Sequence, residues 1–271
     1  MNRPWITGFF WGCLLIAVSP AAQAADPQVV HVFVALCDNA SQGIVPVPAK
    51  IGDGDKPEDN LYWGCTDGLK SYFRASNLWV RQPAVSSPRP QVLERVVFKH
   101  KTRNIYLVAD AWQGREIQAC LQSFVSAAGG GFKEPPLKLQ VAGATRAGEG
   151  ESTKEIELPL AAEARWLAYI GHNGLMEFEV QWPQPPAASA TKDAFVLCCI
   201  GQRYFSKLAA PLTLTTRQLM YPGAFILHDA LEATFDGKPA SEIKAAAARA
   251  YAKNQGISVK AASGVFAGKG E

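Results

Sequence analysis

Two short stretches of this chain end in side chains that can break an acyl bond. Leu167–Ile170 runs into Gly171, His172, Asn173 and Gly174, and Ala194–Cys198 runs into Cys199, Ile200 and Gly201. A thiolate attacks a carbonyl carbon, while a neighbouring imidazole takes the thiol proton and later delivers one to the leaving amine. The pattern points to acyl transfer with Cys199 as nucleophile and His172 as acid and base. Successive strand side chains face opposite ways, so Cys198 is read as a core residue. The backbone N–H groups of Gly174 and Cys199 are the candidate oxyanion donors, and glycines at 171 and 174 let backbone approach a substrate closely. Cys199 also stands just before a helix predicted to begin near Gly201 or Gln202, whose N-terminal partial charge favours a thiolate.

That chemistry requires the two stretches to be neighbouring strands of one sheet. Short, nearly continuous apolar runs recur at Val29–Leu36, Ile105–Ala109, Trp166–Ile170, Ala194–Cys198 and Leu212–Thr215. Such runs suit strands buried on both faces. Helical spacing separates several of them, over Leu61–Phe73, Arg115–Ala127, Gln202–Ala209, Pro222–Phe235 and Ser241–Lys253. The alternation predicts an α/β fold, a mostly parallel sheet flanked by helices on both faces. In such a sheet, function gathers at the carboxyl ends of the strands. The segment from Asn173 to Asp193 is longer than the roughly a dozen residues a parallel crossover needs. Two stretches, 129–155 and 181–193, are loaded with Gly, Pro and charge and read as surface loops, the first being the natural site for a processing cut.

Composition narrows the functional classes. Of 271 residues, 48% are hydrophobic and 19% charged, enough apolar material for a substantial core. The 27 basic and 24 acidic residues are too balanced for a nucleic-acid binder, so no nucleic-acid partner is expected. Arg3, the apolar run Ile6–Val18 and the small residues at Ala22 and Ala24 read as an export signal over residues 1–24, cut after Ala24. The single domain then spans 25–271, periplasmic or secreted, with no stable membrane span once the signal is removed. Removing Cys13 with the signal leaves Cys37, Cys65, Cys120, Cys198 and Cys199, an odd number, so at least one thiol stays unpaired within the chain. Cys37 with Cys65, or either with Cys120, could form a disulfide.

The paired motifs resemble the caspase-like fold of the clan that includes caspases, legumains, gingipains and clostripain. In that clan an apolar strand ends in a histidine with a glycine close behind, and a second apolar strand ends in the cysteine. The stretch Cys199–Phe205 is similar to legumain-type sequences, and Val32–Leu36 followed by Cys37, Asp38 and Asn39 suits the clan's opening strand and polar loop. The resemblance implies a three-layer sandwich, His172 and Cys199 as catalytic pair, and a peptide or protein as substrate or ligand. Asn173 separates the histidine from the glycine that follows it directly in the clan. For the walls of the substrate pocket, Asp38, Asn39, Asn173, Thr215 and Thr216 are the candidates. The segments 31–39, 60–63, 169–176 and 215–220 also resemble an uncharacterised bacterial exported family.

Other chemistries find no support in the residues. There is no CxxC or HExxH, so no metal is expected, and no phosphate-cradling or nucleotide motif, so no cofactor. Asp53, Asp55, Glu58 and Asp59 read as a solvated acidic turn, and His31, His100 and His228 as structural. The functional alternative to a peptidase is a caspase-like binding or interaction module of the cell envelope that has no catalysis.

Overall fold

The computed structural model describes residues 26–142, 153–183 and 192–271. The export signal, its cut and Cys13 lie outside the described residues, as do parts of both proline- and glycine-rich stretches. Ten strands are present: β1 Gln28–Ala35, β2 Trp79–Arg81, β3 Val92–His100, β4 Ile105–Trp112, β5 Leu137–Ala142, β6 Thr153–Leu158, β7 Trp166–Ile170, β8 Asp193–Leu197, β9 Leu212–Thr216 and β10 Phe266–Gly268. The α-helices are α1 Leu69–Ala75, α2 Ile117–Ala128, α3 Gly201–Tyr204, α4 Ala224–Phe235, α5 Ala240–Gln255 and α6 Val259–Ser263. The fold is α/β, with an eight-stranded, mostly parallel sheet in the order β10-β9-β8-β7-β1-β4-β3-β2. The strands β4, β1, β7, β8 and β9 run parallel, and β3 and β10 are antiparallel to their neighbours β4 and β9.

The continuous apolar runs have a direct cause: each central strand feeds two cores. In β1, Val30, Val32 and Val34 join one core with side chains of α1, α4 and α5, while Val29, Phe33 and Ala35 join another with α2. Beyond its first residue, such a strand is buried along its whole length, so alternation with polar residues disappears.

Three readings of the sequence are corrected here. The helix expected over Leu61–Phe73 starts only at Leu69, and in the turns before it Gly64 lies so close to Glu58 that a Cβ would sit 1.8 Å from its carbonyl oxygen. Residues 57–68 instead form tight turns around Asn60. Its buried side chain accepts N–H bonds from Cys37 and Tyr62 (both 3.1 Å) and donates to the Cys37 carbonyl (2.8 Å). The stretch 129–155 is not wholly loop: β5 and β6 pair antiparallel and bury Leu139 and Leu158 against the core on the α2 face. The helix after Cys199 is a single turn, too short for a macrodipole of much consequence. Among the described residues, no helix is long and apolar enough to cross a membrane.

Candidate functional site

Parallel pairing aligns the carboxyl ends of β7 and β8, with Ile170 opposite Leu197. The residues that leave those ends are Gly171 and His172 on one side and Cys198 and Cys199 on the other. Cys198 points into the core and is fully buried, and burial pushes its thiol well up from the ordinary range. Cys199 is partly exposed. It lines a cavity of about 400 Å³ together with His172.

The local backbone is shaped for this arrangement. Gly171 adopts φ +155°, and a Cβ there would press within 3.0 Å of both the Ala35 carbonyl oxygen and the Tyr169 hydroxyl. Only glycine suits that corner. After Cys199 the chain turns through Ile200, a β-branched residue in the left-handed region (φ 52°, ψ 37°). Such a conformation costs roughly 1–2 kcal/mol, and strain of this kind gathers at functional turns. The two strand ends are also tied together. The fully buried Asn173 donates from Nδ2 to the Cys199 carbonyl at 2.6 Å, and the Tyr169 hydroxyl donates to the His172 carbonyl at 2.6 Å.

His172 is 8% exposed, and its Nε2 lies 2.5 Å from Glu177 Oε1. The same carboxylate oxygen accepts the Gly43 N–H at 2.9 Å, fixing the loop after β1 against the histidine. The other ring nitrogen, Nδ1, has no hydrogen-bond partner among the described residues. The Cys199 sulfur rests on the backbone of Met220, accepting its N–H at 3.5 Å and donating to its carbonyl at 3.6 Å. No hydrogen bond joins Cys199 to His172; catalytic contacts of apo enzymes are often loose and tighten only with substrate.

Sequence reasoning missed Glu177. A carboxylate five residues beyond His172 is no recognised spacing, and only the one-turn helix Gly174–Met176 brings it back to the ring.

The remaining site residues are distributed differently from the sequence expectation. The Gly174 N–H is spent on the His172 carbonyl (3.1 Å), closing a γ-turn centred on Asn173 (φ −83°, ψ 80°). Cys199 N–H has no backbone acceptor among the described residues. None of Asp38, Asn39, Asn173, Thr215 and Thr216 lines the cavity of His172 and Cys199. Asp38 and Asn39 border a separate concavity with Asp53 and Arg115. Asn39 braces Val47 through two backbone bonds (2.8 and 3.0 Å). Thr216 hydrogen-bonds the Cys198 carbonyl and the Gly201 N–H, which keeps it inside the turn, and Thr215 borders a cavity near Phe205. The walls come instead from loops that periodicity does not register: residues 43–47, 61–62 and 219–222.

All five cysteines among the described residues are free thiols. Cys37 and Cys120 belong to the cores on opposite faces of the sheet, which excludes a bridge between them. Cys37 is fully buried, and burial raises its thiol to about 11 despite an opposing hydrogen bond from Tyr62.

Among the described residues, His31, Asp110 and Glu134 come nearest to a metal-ligand set, with ligand atoms within 4.8 Å of one another. A guanidinium already occupies the cationic position there. Arg95 bonds both oxygens of Asp110 (2.5 and 2.6 Å) and Glu134 (2.9 Å). His31 spends Nδ1 on the Ala161 N–H (2.9 Å) and Nε2 on Asp110 (3.1 Å). Three of the four acids of the 53–59 turn are likewise paired: Asp53 with Lys56, Asp55 with Arg115 and Asp59 with Lys50.

No family model matches this chain, and comparison with curated proteins and with solved structures found no match.

Proposed function

We propose that this chain is an exported cysteine peptidase with a caspase-like three-layer arrangement, in which Cys199 attacks a peptide carbonyl and His172 carries the proton. The observation that carries the reading is the shared cavity: an imidazole and a partly exposed sulfur, leaving adjacent parallel strands, line one opening. The helices that contribute to both cores of the sheet support the layered arrangement.

The chemistry follows from the groups present. His172 takes the thiol proton as the Cys199 sulfur bonds to the carbonyl carbon, and the Cys199 N–H faces the developing oxyanion. The carbon–nitrogen bond then breaks, and the amine leaves with the proton from His172. Water adds to the thioester, giving a proton to His172, and the carbon–sulfur bond breaks to release the acid. That proton returns to the sulfur. Glu177 holds the ring in one orientation throughout.

A second reading, an envelope interaction module without catalysis, is favoured by the spent Gly174 N–H and by the Met220 backbone packed on the sulfur. One experiment separates the two. In a Cys65→Ala background, which removes the other partly exposed thiol, iodoacetamide at about pH 6 should alkylate Cys199 in the folded protein. His172→Ala should abolish that labelling. A folded protein that stays unlabelled at Cys199 overturns the peptidase and leaves the module.

A further inference from the structure

We infer that the cavity beside Cys199 receives a large uncharged apolar side chain, of the leucine, methionine or phenylalanine class, next to the bond to be cut. This rests on the peptidase reading and names the substrate class of the same site. The inner wall is built by Ile44, Val47, Leu61 and Met220, and no Lys, Arg, Asp or Glu lines the cavity. Six large hydrophobic side chains are exposed among the described residues, and three of them, Val45 (87%), Leu219 (69%) and Met176 (44%), ring this one opening. Apolar rims left in water mark ligand grooves.

Apart from the reacting pair, His172 and Cys199, the polar side chains that line the cavity do not supply a charge for recognition. Burial pushes the Tyr62 phenol well up, and burial followed by the nearby Asp67 pushes Tyr221 up, so both stay neutral. Glu177, which touches the lining residues His172 and Gly43, is already held by the His172 ring and the Gly43 N–H. A charged substrate side chain would lose its water here and find no counterion outside the reacting pair, which is strongly unfavourable. An aliphatic or aromatic one would cover the exposed rim, and methionines at 176 and 220 adapt to its shape. The volume, about 400 Å³, lies in the range of small-ligand pockets.

The test uses peptidyl acyloxymethyl ketones that differ only in the residue beside the ketone: Leu, Phe, Asp, Asn or Arg. Alkylation of Cys199 is followed by intact mass. Leu and Phe reagents should react roughly tenfold faster or more than Asp and Arg. The exposed-rim variant Val45→Arg should shift the balance toward Asp several-fold. Equal or faster reaction with Asp, Asn or Arg overturns the inference while leaving the peptidase intact. The Cys199→Ala protein gives a readout without chemistry: titration with uncleaved peptides carrying Leu or Asp at that position, read by tryptophan fluorescence. Leu-selective binding alongside an unreactive Cys199 keeps the apolar pocket and removes the peptidase. Unselective binding alongside an unreactive thiol overturns both.

Discussion

Two histidines of this protein rest against a carboxylate, in opposite circumstances. His31 pairs with Asp110 inside the sheet, both fully buried, with every ring nitrogen bonded and Arg95 neutralising the acid. His172 pairs with Glu177 at the carboxyl edge of the sheet, with Nδ1 unspent and a thiol in the same cavity. Residue types alone would make both into catalytic pairs. The difference lies in what is left over: a network whose valences are all satisfied holds the fold together, and one with a free nitrogen beside an opening can do chemistry.

The sharpest way to break this comparison is to remove one group from each network. Arg95→Ala leaves the buried Asp110 without its guanidinium, while Glu134 keeps Arg89, and should cost about 3–5 kcal/mol in denaturant unfolding. His172→Ala, at the edge of a cavity, should cost about 1 kcal/mol or less. Equal losses would mean that the His172 pair is as structural as the His31 pair.

Acid titration reads the same contrast through one carboxylate. Burial opposes the charge on Asp110, yet hydrogen bonds from Arg95 and His31 hold its carboxyl at about 2, below the usual value near 3.8. A depressed folded value means stabilisation that is complete above about pH 4 and lost as pH falls toward 2. Its size is on the order of 2 kcal/mol. Urea midpoints measured between pH 5 and 2, at about half-unit steps, should fall accordingly, and a flat profile would show that Arg95 does not hold the charge.

The scaffold was far more legible than the site. The central runs of β1, β7 and β8 reveal themselves because double-sided burial leaves mostly apolar residues, His31 being the buried exception in β1, and His172 and Cys199 stand where β7 and β8 end. The hairpin of β5 and β6 was hidden because its polar face and the Gly-rich flanks resemble loop composition. The cavity walls were hidden for a different reason. Val45, Leu61 and Leu219 sit in irregular segments whose placement depends on distant hydrogen bonds, such as Asn39 to Val47 and Glu177 to Gly43. No periodicity encodes a loop that is held from elsewhere.

Glu177→Gln sharpens the comparison at the open site. The amide can still hydrogen-bond to His172 but brings no charge, so stability should change by less than about 1 kcal/mol. Alkylation of Cys199 should slow several-fold with its pH profile displaced, a signature that a purely structural contact would not produce. An unchanged rate and profile would confine Glu177 to holding Gly43.

The smallest effect belongs to the turn that presents the sulfur. Ile200 sits at φ 52°, a region that glycine enters freely. Ile200→Gly relieves roughly 1 kcal/mol of strain and forfeits the packing of a side chain that is only half-buried, so the unfolding free energy should move by about 1 kcal/mol or less in either direction. Reactivity should respond more than stability does. The strained residue fixes the angle at which β8 hands over to the α3 turn, and with it the position of Cys199 against Met220. A glycine there leaves several angles open, and alkylation of Cys199 should slow two- to fivefold, by a rough reckoning. A variant that loses stability heavily yet keeps its thiol reactivity would show that Ile200 is there for packing, and that the left-handed turn does nothing for the sulfur.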